Sequence, residues 1–254
     1  MSPFSISWYN EYGDDMITSV TNEKIKYLLN LQKRKYRDEY NEFIVEGPHL
    51  VEEALKQGIV KTIYSNLTQY ENQDNVLMVN DIVMKKISEV MEPQGVVAIC
   101  QKLSLTHIGN RILMLDRIQD PGNFGTLLRS ALAFGFDTVL YESSVDPYNS
   151  KVIRSTQGAI FHLNLLETDL LQFMDDNLDY IYYGTSLKDA FSLTTVPRKD
   201  EKIAIILGNE GSGVRQELLD KTSLNIFIDI DTVESLNVAV AGSIIMYHLR
   251  RLQP

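Results

Sequence analysis

Two periods alternate along this chain. Short, nearly continuous apolar runs of the buried-strand type recur at residues 43–45, 60–64, 75–79, 96–100, 112–115, 138–141, 180–183, 203–207 and 224–228. Between them lie stretches whose apolar residues recur every three or four positions. These predict helices over residues 22–35, 50–57, 81–90, 121–134, 149–156, 166–174 and 215–221, and a last one from Ser235 onward. In the first, Ile25, Leu28, Leu29 and Leu31 form a side opposite the lysines. In the last, Val238, Ala241, Ile245 and Leu249 share a face, and Ser235 stands where an N-cap is expected. Strands alternating with helices predict α/β layers. The alternation breaks once, in the polar segment 102–110. That break divides an N-terminal unit at 16–104 from a C-terminal unit at 110–254. Residues 1–15 lack any period and are expected to form a loose tail.

Composition changes this picture little. The 254 residues are 44% hydrophobic and 23% charged, the balance of an ordinary soluble domain. No run reaches membrane-spanning length, and the basic-then-apolar order of a secretory signal is absent, so a cytoplasmic location is expected. Cys100 is the single cysteine, and His49, His107, His162 and His248 are scattered without ligand spacing. Neither a disulfide framework nor a metal site is expected.

Charge adds more. A net charge of −10 argues against nucleic-acid binding by the whole surface. Yet Lys24, Lys26, Lys33, Arg34, Lys35 and Arg37 follow one another with no acidic residue between them. Such a run is either a solvated helix face or a local phosphate-binding surface.

Candidate chemistry gathers in three loops, each leaving the C-terminal end of a predicted strand. In open α/β sheets that edge is where ligands bind. The first runs from Asp116 through Asp120-Pro121-Gly122-Asn123 to Arg129-Ser130-Ala131. Pro121 suits a helix start, while Asn123 and Arg129 are polar in an apolar region. The second is Leu207-Gly208-Asn209-Glu210-Gly211-Ser212-Gly213. Its glycines are not in the G-x-G-x-x-G spacing of a dinucleotide site. The third is Glu234-Ser235-Leu236-Asn237, feeding the last helix, where Ala239, Gly242 and Ser243 are small.

Together these stretches resemble the three motifs of the SpoU (TrmH-like) branch of the SPOUT RNA ribose methyltransferases. Lys151-Val152-Ile153-Arg154-Ser155-Thr156-Gln157-Gly158-Ala159 is similar to that family's segment between its first and second motifs. Phe43-Ile44-Val45-Glu46-Gly47 and Gln94-Gly95-Val96-Val97-Ala98 resemble its N-terminal substrate-binding domain. One stretch departs from the pattern. Where the family has Ile-Pro-(Ile/Met) and a glycine, this chain has Ile228-Asp229-Ile230-Asp231-Thr232-Val233.

The resemblance implies an α/β protein with a C-terminal SPOUT-type domain tied in a deep trefoil knot, preceded by a smaller L30e-like domain. It implies S-adenosyl-L-methionine as cofactor, RNA as partner, a homodimer, and methylation of a ribose 2′-hydroxyl, in ribosomal RNA ahead of tRNA. The alternative from another class is a non-catalytic RNA-binding or ribosome-assembly protein. Carried over residue by residue, the catalytic group is Arg129, Asn123, Glu210, Ser235 and Asn237. The cofactor would lie against Leu207, Gly208, Asn209, Gly211, Ile228, Ile230, Ser235, Leu236 and Asn237. Lys33, Arg34, Lys35, Arg37 and Arg154 would meet RNA. The small residues of the last helix suggest close helix–helix approach across the dimer axis.

Overall fold

The computed structural model describes residues 16–71, 73–104, 107–197, 201–233 and 235–250; the expected tail at 1–15 lies outside them. The N-terminal unit opens with α1 (Glu23–Asn30) and α2 (Arg34–Tyr40). Then come β1 (Glu42–Glu46), α3 (Pro48–Lys56), β2 (Val60–Ser65), β3 (Val76–Met78), α4 (Asp81–Ile87) and β4 (Val96–Gln101). Its sheet has the order β1-β4-β2-β3, with β4 antiparallel to both neighbours and β2 parallel to β3. Helices α1 and α4 cover one face through Ile25, Leu28, Leu31, Val83, Met84 and Ile87.

The single helix expected over 22–35 is two helices. Lys33 is extended (φ −102°, ψ 133°) and ends the first pattern. The buried Leu31 carbonyl accepts a hydrogen bond from Arg37 Nη1 (2.9 Å). A side-chain donor has thus replaced the next turn of helix, a tertiary substitution that periodicity does not register.

The C-terminal unit is built on seven strands. They are β5 (Arg111–Asp116), β6 (Thr138–Glu142), β7 (Asn164–Glu167), β8 (Ile181–Thr185), β9 (Phe191–Ser192), β10 (Ile203–Gly208) and β11 (Leu224–Phe227). Every pairing in the order β7-β6-β5-β10-β8-β11-β9 is parallel. The central pair, β5 and β10, is buried at every position, as a parallel sheet covered on both faces requires. The helices are α5 (Pro121–Ala133), α6 (Ser150–Thr156), α7 (Leu170–Asp176), α8 (Gln216–Leu219) and α9 (Val238–Leu249). The helix expected over 166–174 starts only at Leu170; Leu166 and Glu167 belong instead to the edge strand β7, in which Leu165 and Leu166 pair with Val139 and Leu140.

Helix α9 packs on α5, and its small residues face inward. A Cβ on Gly242 would lie 2.5 Å from both Leu127 Cδ2 and Leu207 Cδ1. Ala239 is buried, and Ser243 Oγ is 2.7 Å from Ser130 Oγ. Within this structure they serve contact inside one subunit, which corrects the expected placement on a subunit interface. The exposed face of α9 is apolar instead: Val240, Ile244 and Tyr247 are open to solvent, as is Leu132 of α5. Phe134 meets Tyr247 edge-on, with ring centroids 5.6 Å apart.

The two units are joined by side chains. Arg37 forms a buried ion pair with Asp146, its Nε 3.0 Å from Oδ2. Arg34 Nη2 reaches Glu167 at 2.7 Å. Phe43 packs on Tyr148 with centroids 4.9 Å apart, and Lys102 Nζ lies 4.8 Å from the Tyr148 ring centroid. Among the described residues no helix is long and apolar enough to cross a membrane.

Candidate active site

The three loops meet at the C-terminal edge of the parallel sheet. Helix α5 starts as its sequence suggests. Asp120 caps it, accepting from Asn123 N (2.8 Å), and Pro121 occupies its first turn. Helix α9 is capped by Asn237, whose Oδ1 accepts from Ala239 N (2.9 Å) and Val240 N (3.3 Å). The expected cap, Ser235, lies two residues earlier and is exposed. Because Asn237 Oδ1 is spent on the cap, its Nδ2 is directed outward and donates to Asn123 Oδ1 (2.9 Å). Asn123 Nδ2 in turn donates to Glu210 Oε1 (3.1 Å). One residue from each loop thus forms a single chain, Asn237 to Asn123 to Glu210.

Glu210 is a clamp. Oε1 also accepts from Asp120 N (3.1 Å), and Oε2 accepts from Gln119 N (3.3 Å) and, more weakly, Asn209 Nδ2 (3.5 Å). Partial burial pushes its carboxyl upward. The hydrogen bonds from Asn123 and from the Asp120 and Gln119 amides outweigh this and hold it below the usual glutamate range. A carboxylate so held is a poor proton acceptor and a good brace. Asn209 performs the same service within its loop. Its Oδ1 accepts from Gly211 N (3.0 Å) and Ser212 N (3.1 Å), and its Nδ2 donates to Arg117 O (2.9 Å). That last bond helps hold Arg117 in the left-handed region (φ 59°), sparsely populated by residues other than glycine.

Arg129 and Ser235 stand apart from this chain. Arg129 is exposed on α5, and among the described residues it makes no hydrogen bond or ion pair; Ser235 makes none either. Their side chains are free for a ligand. Ile228 and Ile230 line a different part of the edge, an open cleft of about 410 Å³ with Leu187, Phe227, Asp229 and Asp231. Ser192 Oγ donates to Asp229 Oδ2 there. At the end of β10, a Cβ on Gly208 would fall 2.1 Å from Gly213 C and Val214 N, so only glycine lets the loop fold back onto its strand.

The residues proposed from sequence for RNA contact divide. Lys33, Arg34 and Lys35 are exposed. Arg37 is not: it is 5% exposed and committed to Asp146, which removes it from that role. Arg34 bridges to Glu167 and Asp38. Arg154, half-buried, keeps Nη1 buried without a hydrogen-bond partner.

Several supporting contacts escaped the sequence reading. Asp116, fully buried at the end of β5, accepts from Arg215 N (2.9 Å) and Arg215 Nε (2.8 Å), and so ties the second loop to the first strand. Ser144 Oγ accepts from Ile118 N (3.0 Å), and Gln119 Nε2 donates to Ser143 O (2.7 Å). A carboxylate closing the apolar run Ile112–Leu115 was the available signal for Asp116. Its partner is 99 residues away in sequence, beyond any local pattern.

Residues 110–247 match the SpoU rRNA methylase family, and residues 22–98 match the MRM3-like substrate binding domain. The chain belongs to the SpoU rRNA methylase family. It is 38% identical, over 92% of its length and 98% of the relative's, to the 23S rRNA (guanosine(2553)-2′-O)-methyltransferase RlmP of Bacillus subtilis. It is 25% identical to the mouse mitochondrial rRNA methyltransferase 3, over 94% of this chain and 72% of that one. The AdoMet-bound rRNA methyltransferase from Sinorhizobium meliloti superposes with a TM-score of 0.83 at 28% identity, covering 92% of this chain and 97% of that one.

Proposed function

We propose that the chain methylates the ribose 2′-oxygen of the rRNA guanosine equivalent to position 2553 of 23S rRNA, using S-adenosyl-L-methionine in the cytoplasm. The observation that carries this is near end-to-end similarity to RlmP, together with the Asn237–Asn123–Glu210 chain at the edge where the three motifs meet.

The edge suits the cofactor. Leu187, Ile228 and Ile230 offer apolar surface to a purine, Asp229 and Asp231 offer acceptors to hydroxyl or ammonium groups, and the Gly208 turn brings bare backbone close. Leu207, Asn209, Gly211, Leu236 and Asn237 complete the surround, within the threaded loops that the family resemblance implies. The cofactor, when bound, supplies an electrophilic methyl group. The residues of the chain do the rest. Arg129 holds the ribose and its phosphate and stabilises negative charge developing on the 2′-oxygen. Asn123, braced by Glu210 and Asn237, fixes the turn from which α5 presents Arg129. Ser235 donates to or accepts from a ribose hydroxyl. Holding a weak nucleophile in line is where most of the rate gain lies.

The working unit in this reading is a homodimer. Its support is the exposed apolar face of α9, which adjoins the loops through Asn237 and needs a cover of its own kind. Mapping ribose methylation on rRNA from a strain lacking the protein tests the substrate. The guanosine equivalent to 2553 should lose its methyl group and regain it on complementation; an unchanged map overturns the assignment.

A further inference from the structure

We propose that the N-terminal domain grips RNA phosphates with a lysine face shared by two elements, in which Lys85 and Lys86 of α4 extend Lys33 and Lys35 at the α1–α2 corner. This rests on the rRNA methyltransferase reading and adds residues that no sequence motif marks.

Tertiary structure brings the two pairs together. Helices α1 and α4 lie side by side on the same face of the N-terminal sheet. Gln32 Nε2, one residue before Lys33, donates to the carbonyl of Ile87, one residue after Lys86 (3.4 Å). With Val83, Met84 and Ile87 turned to the core, Lys85 and Lys86 are left on the outside of α4, and both are exposed.

Pairing has sorted the basic residues of this domain. Lys26, Arg34, Arg37, Lys56, Lys61 and Lys102 are each in an ion pair. Lys33, Lys35, Lys85 and Lys86, and with them Lys24 at the start of α1, make none among the described residues, in a protein of net charge −10. The neighbouring acids are engaged elsewhere. Glu23 pairs with Lys26, Asp81 accepts from Asn66, and Glu46 accepts from Ser88 Oγ and Glu89 N. Asp38 pairs with Arg34 and Lys102; Glu39, one turn after Lys35 on α2, and Glu89 are the exposed acidic side chains nearest the lysines in sequence, and the four lysines outnumber them.

The face also stands in the right place. Arg37 and Arg34 fasten α2 to Asp146 and Glu167 of the catalytic domain. The loop holding Asp146 is bonded in turn to the first motif, through Ser143 and Ser144 to Gln119 and Ile118. An RNA strand that leaves the catalytic edge over this loop meets α2 first and α4 next. The arginines of the basic run are therefore structural fasteners, and the lysines are the RNA contacts. RNA is favoured over an anionic membrane because the face lies within the segment that matches a substrate-binding domain.

The test compares full-length wild type with Lys85→Gln/Lys86→Gln and with a control, Lys202→Gln, whose lysine pairs with Asp179 far from this face. Affinity for a 23S rRNA transcript spanning the matched guanosine is measured from 50 to 250 mM KCl. Each phosphate contact contributes about 0.7 to 0.9 to the slope of log affinity against log salt. The double variant should flatten the slope by about 1.4 to 1.8, with the control, the unfolding midpoint and S-adenosylmethionine affinity unchanged. A wild-type slope in the double variant overturns the proposal and leaves the methyltransferase reading standing. A wild type that binds the transcript at no salt concentration overturns both. Loss of binding to phosphatidylserine vesicles with the RNA slope intact assigns the face to a membrane and overturns the RNA proposal.

Discussion

Arg129 is notable for what surrounds it: an exposed guanidinium on the helix of the first motif, with no carboxylate against it among the described residues. Such a side chain contributes little to folding, so Arg129→Ala should abolish methyl transfer while shifting stability by no more than about 0.5 kcal/mol, the usual span for surface substitutions. Single-turnover methylation beside thermal unfolding checks this, and near-normal turnover removes Arg129 from the reaction. Glu210 predicts the opposite pattern. Its carboxyl is held below its ordinary value, so the contribution of its ionised form is complete above that value. It is lost only as pH falls through the lower folded value. Methyl transfer should therefore show no Glu210 titration between about pH 5 and 8, where an unperturbed glutamate near 4.3 is already ionised. Glu210→Gln, whose amide group faces backbone N–H donors, should lower activity across that whole range. A pH–rate profile that gains a new inflection near neutrality in wild type assigned to Glu210 contradicts the brace.

At the scale of elements, α9 shows how one helix serves two surfaces. Its inner face carries Ala239, Gly242 and Ser243 against α5 and β10; its outer face carries Val240, Ile244 and Tyr247. Gly242→Leu forces a branched side chain between Leu127 and Leu207, both buried. It should cost about 1–3 kcal/mol, the usual penalty for overpacking, without changing subunit number. Denaturant unfolding with light scattering separates the effects. A fully stable monomer from Gly242→Leu would return the small residues to the subunit interface. Helix α2 teaches the same lesson in charge. Four basic residues at 33–37 are equivalent in sequence, yet Arg37 is spent indoors on Asp146 while Lys33 and Lys35 stay outside.

For the whole molecule, the exposed face of α9 starts at Val240, three residues beyond the Asn237 cap of the third loop, so the homodimer proposed on that face predicts that association and activity are coupled. A homodimer has about twice the 29.0 kDa chain mass. Ile244→Glu places a charge in the middle of the apolar face and should yield a folded monomer with reduced methyl transfer. Light scattering at micromolar concentration with parallel assays decides the matter; full activity at a mass near 29.0 kDa excludes the dimer as the working unit. The two domains, by contrast, are held within one chain by the buried Arg37–Asp146 pair and by aromatic packing of Phe43 on Tyr148.

Much was settled by sequence alone, where the relevant physics is local. Continuous apolar runs such as Ile203–Leu207, too short for a buried helix, read as strands covered on both faces, and Asp120-Pro121 ahead of an apolar-periodic stretch favours a helix start. The three loops at strand ends were legible for that reason; which of their residues do the chemistry came from the family resemblance, and the structure brings Asn123, Glu210 and Asn237 together. Features that depend on a distant partner were not. The break before α2 follows from a guanidinium taking the Leu31 carbonyl, and β7 is a strand because β6 offers it an open edge. Asn237 caps α9 in place of Ser235, and in doing so aims its amide at Asn123, 114 residues earlier. Which lysines are free, which arginines are fasteners and which face of α9 is open depend on side-chain pairing across the chain. Pairing is a property of three-dimensional neighbours, so only the tertiary structure decided it.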